Sequence, residues 1–408
     1  MSRRLVLRDG NQEGLHLKFD IDQLIGLRHW LHAHPEVSRQ EVETAKHLRQ
    51  FLETHATPDR VVPLHGAGFA AVYEGQSAGK TILLRCELDA LPIHEINDNI
   101  PYRSIFDGVG HKCGHDGHMA ILAGLAQTLA ERPAKGRVVL LFQPDEETGT
   151  GARLSCSHPN FDQIKPDLVF ALHNLPSFPL GQIVCKSGVF ASEVRYVTIR
   201  MSGKEAHSAQ PETGTSPSYA LAELTLQVRK IQAKYDLPDA YALAVPVYNQ
   251  MGVQASGISP ARGEVHITLR SAQSDTVEKM WQDIQGCAVE LAARYTLEAG
   301  FEIREAFTGT KNTELGFDMI RQAAAKTNHP FRCLEHPFRW GEDFGEFTNR
   351  FEGGMFGLGA GDIQPELHHP DYDFPDGIIG NGIAMFAEII RSVVDQTGNI
   401  AKSHNGRS

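Results

Sequence analysis

Apolar positions along the chain fall into two textures, and the change comes near residue 190. Before it, short continuous apolar runs stand between helical stretches. Residues 20–34 set Leu24, Leu27, Trp30 and Leu31 at near-helical spacing and stop at Pro35, which predicts an amphipathic helix. A second helix is expected over about 41–53. Residues 70–73, 81–86, 138–142 and 168–172 are apolar, β-branched or aromatic, and do not alternate. Such runs suit strands buried on both faces, as in a mostly parallel sheet flanked by helices. An Ala- and Leu-rich helix is expected over 118–131.

From about residue 190 the pattern alternates. Val194, Tyr196, Thr198 and Arg200 interleave with Arg195, Val197, Ile199 and Met201, as in a strand with one solvated face. A helix over 216–235, strands over 243–248 and 264–270, a helix over 276–295 and a strand over 301–305 complete an α+β sandwich. After about residue 308 the buried-strand texture resumes at 354–359, and a terminal helix follows near 380–397. The chain of 408 residues is long for one core. We therefore expect an α/β catalytic domain in two parts, 1–189 and 308–408, with an inserted α+β domain over 190–307.

Composition narrows the partners. The 39 basic and 50 acidic side chains leave a charge of −11 with no long single-sign run, so no basic face for nucleic acid is expected. No stretch reads as a signal peptide or membrane span, which points away from a membrane partner. The six cysteines are scattered without framework spacing, and unpaired thiols in a cytoplasmic protein are expected.

The densest polar stretch is His111-Lys-Cys-Gly-His-Asp-Gly-His118. By itself it reads equally as a solvated turn whose Asp116 caps a helix, or as a metal site. Three further clusters favour the metal. Phe142-Gln-Pro-Asp-Glu-Glu147 leaves two adjacent carboxylates after a buried strand, Ala171-Leu-His-Asn174 a histidine after the next, and Leu367-His-His-Pro370 more imidazoles. Zinc and similar ions take thiolate, imidazole and carboxylate ligands. Ligand sites in open α/β sheets lie at the carboxyl ends of strands. Such a metal lowers the pKa of a bound water towards neutrality, and two metals together clamp the attacking and the polarised oxygen. Of Glu146 and Glu147, one can ligate while the other takes the proton and hands it to a leaving amine.

In Leu31-His-Ala-His-Pro-Glu36, Arg85-Cys-Glu-Leu-Asp-Ala-Leu-Pro-Ile93, Cys113-Gly-His-Asp-Gly-His118, Phe142-Gln-Pro-Asp-Glu-Glu147 and Leu367-His-His-Pro370, the chain resembles the superfamily of aminoacylase, carboxypeptidase G and dipeptidases. Within it, the likeness is to the branch of hippurate hydrolase and auxin-conjugate (indole-acetyl amino acid) amidohydrolases. The five stretches run in order and span nearly the whole chain. The resemblance implies Cys113, His115, Glu147, His173 and His368 as ligands of two divalent metals, zinc or manganese first, cobalt or nickel as alternatives. It implies Glu146 as general base and Asp89 as the carboxylate that orients a ligand histidine. In Gly203-Lys-Glu-Ala-His-Ser-Ala-Gln-Pro211, His207 would stabilise the developing oxyanion, and Arg270 would hold a substrate carboxylate. The inserted domain would close over the substrate and form a homodimer.

Several positions depart from the family pattern. Gly257-Ile-Ser-Pro260 stands where relatives carry Asn-Val-Ile-Pro, Glu87-Leu-Asp89 where they carry Asp-Met-Asp, and His369 where they carry serine. His369 thus competes with His368 as ligand. Asp116 and His118 are expected to cap and line the turn, and His32 and His34 to pack within a helix remote from the clusters. The leading activity is hydrolysis of an N-acyl amino acid or similar small amide or dipeptide. A thiol hydrolase using Cys113 and His173, or a non-catalytic relative that binds amino-acid conjugates, is the alternative.

Overall fold

The computed structural model describes residues 18–237 and 241–394, which divide into two compact units. One takes the described residues up to Phe190, Lys311–His336 and those from Glu346 onward. The other takes Ala191–Thr310 and Pro337–Gly345.

The first unit is built on an eight-stranded sheet. In spatial order its strands are Arg60–Pro63, Phe69–Glu74, Arg137–Gln143, Thr81–Glu87, Leu168–Pro176, Glu352–Gly361, Ile183–Cys185 and Phe331–Cys333. The four in the middle, from Arg137–Gln143 to Glu352–Gly361, run parallel. Antiparallel pairing is confined to the flanks. Every residue of Thr81–Glu87 and Leu168–Pro176 is buried, which is why those strands read as unbroken apolar runs. Ile183–Cys185 and Phe331–Cys333 are too short to carry a period, and the sequence gives no sign of them.

Three helices close one region of this core. Ile21–Ala33 starts at Asp20, whose side chain accepts from the Gln23 N–H. His115–Thr128 begins three residues before the predicted 118, and Ile379–Val394 ends the described chain. The predicted continuation to 397 lies outside the described residues. A Cβ at Gly124 would come within 2.4 Å of Ile383 and 2.6 Å of Leu24, so the glycine lets the three helices meet. The sequence reading expected no apolar run of bilayer length, yet Asp376–Val394 is long and apolar enough. Its Ile383, Met385, Phe386 and Ile389 are fully buried, as befits a core helix.

In the second unit, Ala242–Met251, Arg262–Ser271, Glu193–Ser202 and Glu298–Phe307 form an antiparallel sheet in that order. Val197, Ile199 and Met201 turn inward against Leu224 of Ser218–Tyr235 and Met280 and Ile284 of Ser274–Arg294, while Arg200 is exposed. On the other face Val194 and Thr198 are also fully buried, so the solvated face expected over 193–201 is confined to Arg200 at its far end.

Candidate metal centre

Four chain segments of the first unit deliver the predicted ligands to one place. Cys113 and His115 flank Gly114, the N-cap of helix His115–Thr128. Gly114 has a φ of +88°, and a Cβ there would sit 2.5 Å from Asn174 Oδ1. Only glycine adopts this turn without strain. Gly114→Ala is expected to cost about 2 kcal/mol of stability; urea unfolding of variant and wild type measures it. Asp116 does not cap the helix, contrary to the sequence expectation. It is fully buried and bonds His32 Nδ1 at 2.8 Å and Arg28 Nη1 at 3.3 Å.

The two buried imidazoles are set in one tautomer by main-chain carbonyls. His115 Nδ1 donates to the Asp89 carbonyl at 2.8 Å, and His173 Nδ1 to the Asn174 carbonyl at 2.9 Å. Each Nε2 therefore presents its lone pair, the arrangement a metal ligand needs. His115 Nε2 is buried, has no hydrogen-bond partner among the described residues, and lies 4.0 Å from Glu147 Oε1. His173 Nε2 lies 3.5 Å from Cys113 Sγ. His173 does not end its strand as expected: Leu168–Pro176 runs three residues further, paired there with Glu352–Gly361 alone.

Glu146 and Glu147 sit in a turn organised by Asp145, a residue the sequence reading passed over. Asp145 takes a φ of +62°, and its buried carboxylate accepts from Thr148 Oγ1 at 2.7 Å and Arg39 Nε at 3.1 Å. Its N–H donates to Glu41 Oε1. Asp89 Oδ2 accepts from the Glu147 N–H at 2.9 Å and from Ser38 Oγ at 2.8 Å, so the strand end and the turn are tied together. From the C-terminal side, His368 brings its Nε2 within 3.7 Å of Glu147 Oε1.

Donor atoms gather within 4.8 Å of one another in overlapping groups: Cys113, His115 and His173; Cys113, Glu147 and His368; and His115, Glu146 and Glu147. His369 joins no such group among the described residues. Glu87, His115 and His118 form another by distance. There, however, His118 is already satisfied, donating from Nδ1 to Glu87 at 2.7 Å and accepting the Asn174 N–H at Nε2. Glu87 also pairs with the buried Arg85. This pair supports the site and was not legible in the sequence.

The electrostatics ask for a cation. Burial opposes a charge on His115, but Asp89, Glu87 and Glu147 outweigh it and raise its pKa to about 10. A proton there answers the surrounding anions as a bound cation would. Burial, with the charges of Glu147 and Glu146, pushes the Cys113 thiol well above its ordinary range. Burial and the nearby His118 push His173 down to about 3. A thiolate–imidazolium nucleophile needs the reverse of both shifts, so the Cys113/His173 thiol mechanism is disfavoured. The donor set of thiol, imidazole and carboxylate, with both Nε2 atoms turned into it, fits divalent metals such as zinc.

His32 is no mere packing residue. It is fully buried between Asp116 and Glu95 (2.9 Å from Nε2), and Arg28 reaches Asp116, Asp373 and Asp376. His34 does pack, stacked on Trp30. In the second unit, His207 is exposed and its Nδ1 accepts the Ala209 N–H. Arg270 donates to the Arg339 carbonyl and to Tyr196 Oη. No disulfide joins the cysteines among the described residues.

Buried thiol, imidazole and carboxylate donors gathered beside a parallel-centred α/β sheet are the set a metal-dependent enzyme uses. The model of the peptidase family M20/M25/M40 matches residues 83–392, and the chain belongs to that family. An N-acetyl-L-cysteine deacetylase of Bacillus subtilis (strain 168) is 30% identical over 91% of this chain and 88% of its own length. An N-acetyldiaminopimelate deacetylase of Geobacillus sp. (strain WCH70) is 28% identical over 91% and 98%. The crystal structure of a dinuclear metal-binding peptidase of the M20 family from Bacillus subtilis matches with a TM-score of 0.75 at 28% identity, over 92% of this chain and 98% of that one.

Proposed function

We propose that the protein is a two-metal hydrolase that removes the acyl group from an N-acyl amino acid, with Cys113, His115, Glu147, His173 and His368 as ligands. The observation that carries this reading is the shared orientation of His115 and His173, each with Nδ1 on a main-chain carbonyl and Nε2 turned towards Glu147 or Cys113. The grouping of donor atoms makes Cys113 common to two three-residue sets. Bound metals would polarise the amide carbonyl and acidify water. Glu146 takes a proton from the attacking water, whose oxygen bonds to the carbonyl carbon. It then delivers that proton to the nitrogen as the C–N bond breaks, leaving a carboxylic acid and a free amino acid. Asp89 keeps Glu147 and His115 in register through their shared hydrogen bonds. Zinc or manganese are the metals we propose, and the cytoplasm the location.

The inserted unit, residues 190–307 by the sequence reading, is proposed as a lid and homodimerisation element. His207 is proposed to stabilise the oxyanion, and Arg270 to hold the substrate carboxylate. Arg270→Lys is expected to raise KM about tenfold with a smaller change in kcat, because the ammonium lacks the guanidinium fork. The relatives' names favour acetyl as the acyl group. Nothing lies within 4 Å of the position a Cβ would take at Gly257, where the resemblance implies an asparagine. The test is a panel of N-acetyl, N-benzoyl and indole-acetyl amino acids with release of free amine as readout. Turnover of the acetyl compounds is expected, and no turnover of any member contradicts the reading.

A further inference from the structure

Lys112, the residue before Cys113, is fully buried. Its Nζ donates to Glu95 Oε1 at 2.6 Å and to the Tyr372 carbonyl at 2.9 Å. Its own carbonyl accepts the His368 N–H at 2.7 Å. One residue therefore holds the 368–372 turn at both ends, by its backbone at His368 and by its ammonium at Tyr372. Tyr372 extends the connection, since its hydroxyl accepts from Asn174 Nδ2 at 2.6 Å, and Asn174 directly follows His173.

The turn requires such holding. His368 has a φ of +67°, a left-handed conformation that a residue with a Cβ keeps only when its surroundings impose it. A buried ammonium is in turn tolerated only when paired, and Glu95 supplies the pair. Nothing in the hydrolytic chemistry calls for a lysine here, so its role lies in what it holds.

We propose that Lys112 is a positioning residue that sets the separation of Cys113 and His368, and through it the affinity of the cation held by Cys113, Glu147 and His368. The proposal rests on the metal-site reading given above. Without the ammonium, the Tyr372 carbonyl loses the Lys112 donor and Glu95 keeps only His32 and the Ser104 N–H, the turn relaxes, and His368 moves off Glu147.

Metal-stripped protein is titrated with cobalt(II), and visible and thiolate-to-metal absorption bands are followed. The wild type is expected to take up two equivalents. Lys112→Met is expected to bind one of them as the wild type does and the other about 10- to 100-fold more weakly. Lys112→Arg, which keeps the cation and its donors, is expected to recover most of the loss. Two equivalents at wild-type affinity in folded Lys112→Met overturn the proposal. Should that variant not fold, Glu95→Gln leaves Lys112 in place without its ion pair and is expected to weaken the same equivalent severalfold. Unchanged binding there overturns the proposal equally. A wild type that takes up no cobalt refutes the metal reading itself.

Discussion

Glu146→Gln is expected to lower kcat by roughly 10³-fold while leaving KM and metal content near wild type. The amide matches the carboxylate in size and can still hydrogen-bond, but it cannot carry a proton between water and the leaving nitrogen. Glu146 is 5% exposed and sits at a turn fixed by Asp145. Because Glu146 also falls within donor distance of His115 and Glu147, metal content distinguishes the two roles open to it. Loss of a metal along with activity would make it a ligand and shift the base to another group.

The second large effect concerns His32 and pH. Burial opposes its charge, but hydrogen bonds to Asp116 and Glu95 and the Asp116 charge win and raise its pKa to about 9, against a facing Arg28 that lowers it. The folded value lies above the unfolded one of about 6.5. Its contribution to stability is therefore complete below pH about 6.5 and is lost as pH rises through about 9. The difference amounts to about 3 kcal/mol. Urea unfolding of wild type and His32→Gln across this window tests it. The stability gap between the two is expected to shrink as pH rises, and a gap independent of pH contradicts a charged His32. Taking the difference between the two proteins removes the contributions of other raised groups, such as Glu41, which burial and the Asp89 charge lift to about 7.

The parts of this molecule that were legible in the sequence are those governed by periodicity. Continuous apolar runs marked the central strands because they are buried on both faces, whereas the alternation over Glu193–Ser202 marked a strand whose second face is exposed at Arg200 but buried at Val194 and Thr198. The donor cluster was legible for a different reason: its members lie in or after buried strands or open a helix, and only a few residue types bind metals. What stayed hidden depends on contacts between distant segments. The Glu87–His118 pair joins a strand to a helix 31 residues away, and Arg28 reaches Asp373 across 345 positions. Asp116 reads as a helix cap from its place in sequence, and only the fold turns it towards His32. Likewise, Lys112 looks like a solvated lysine until Glu95 and Tyr372 are seen around it.

In our proposal the first unit hydrolyses amides through divalent metals held at Cys113, His115, Glu147, His173 and His368. Metal analysis of the purified protein, paired with its amidohydrolase activity before and after chelation, tests it most directly. Two divalent ions per chain are expected, with activity lost on chelation and restored when zinc or manganese is returned. Full activity in metal-free protein would contradict it.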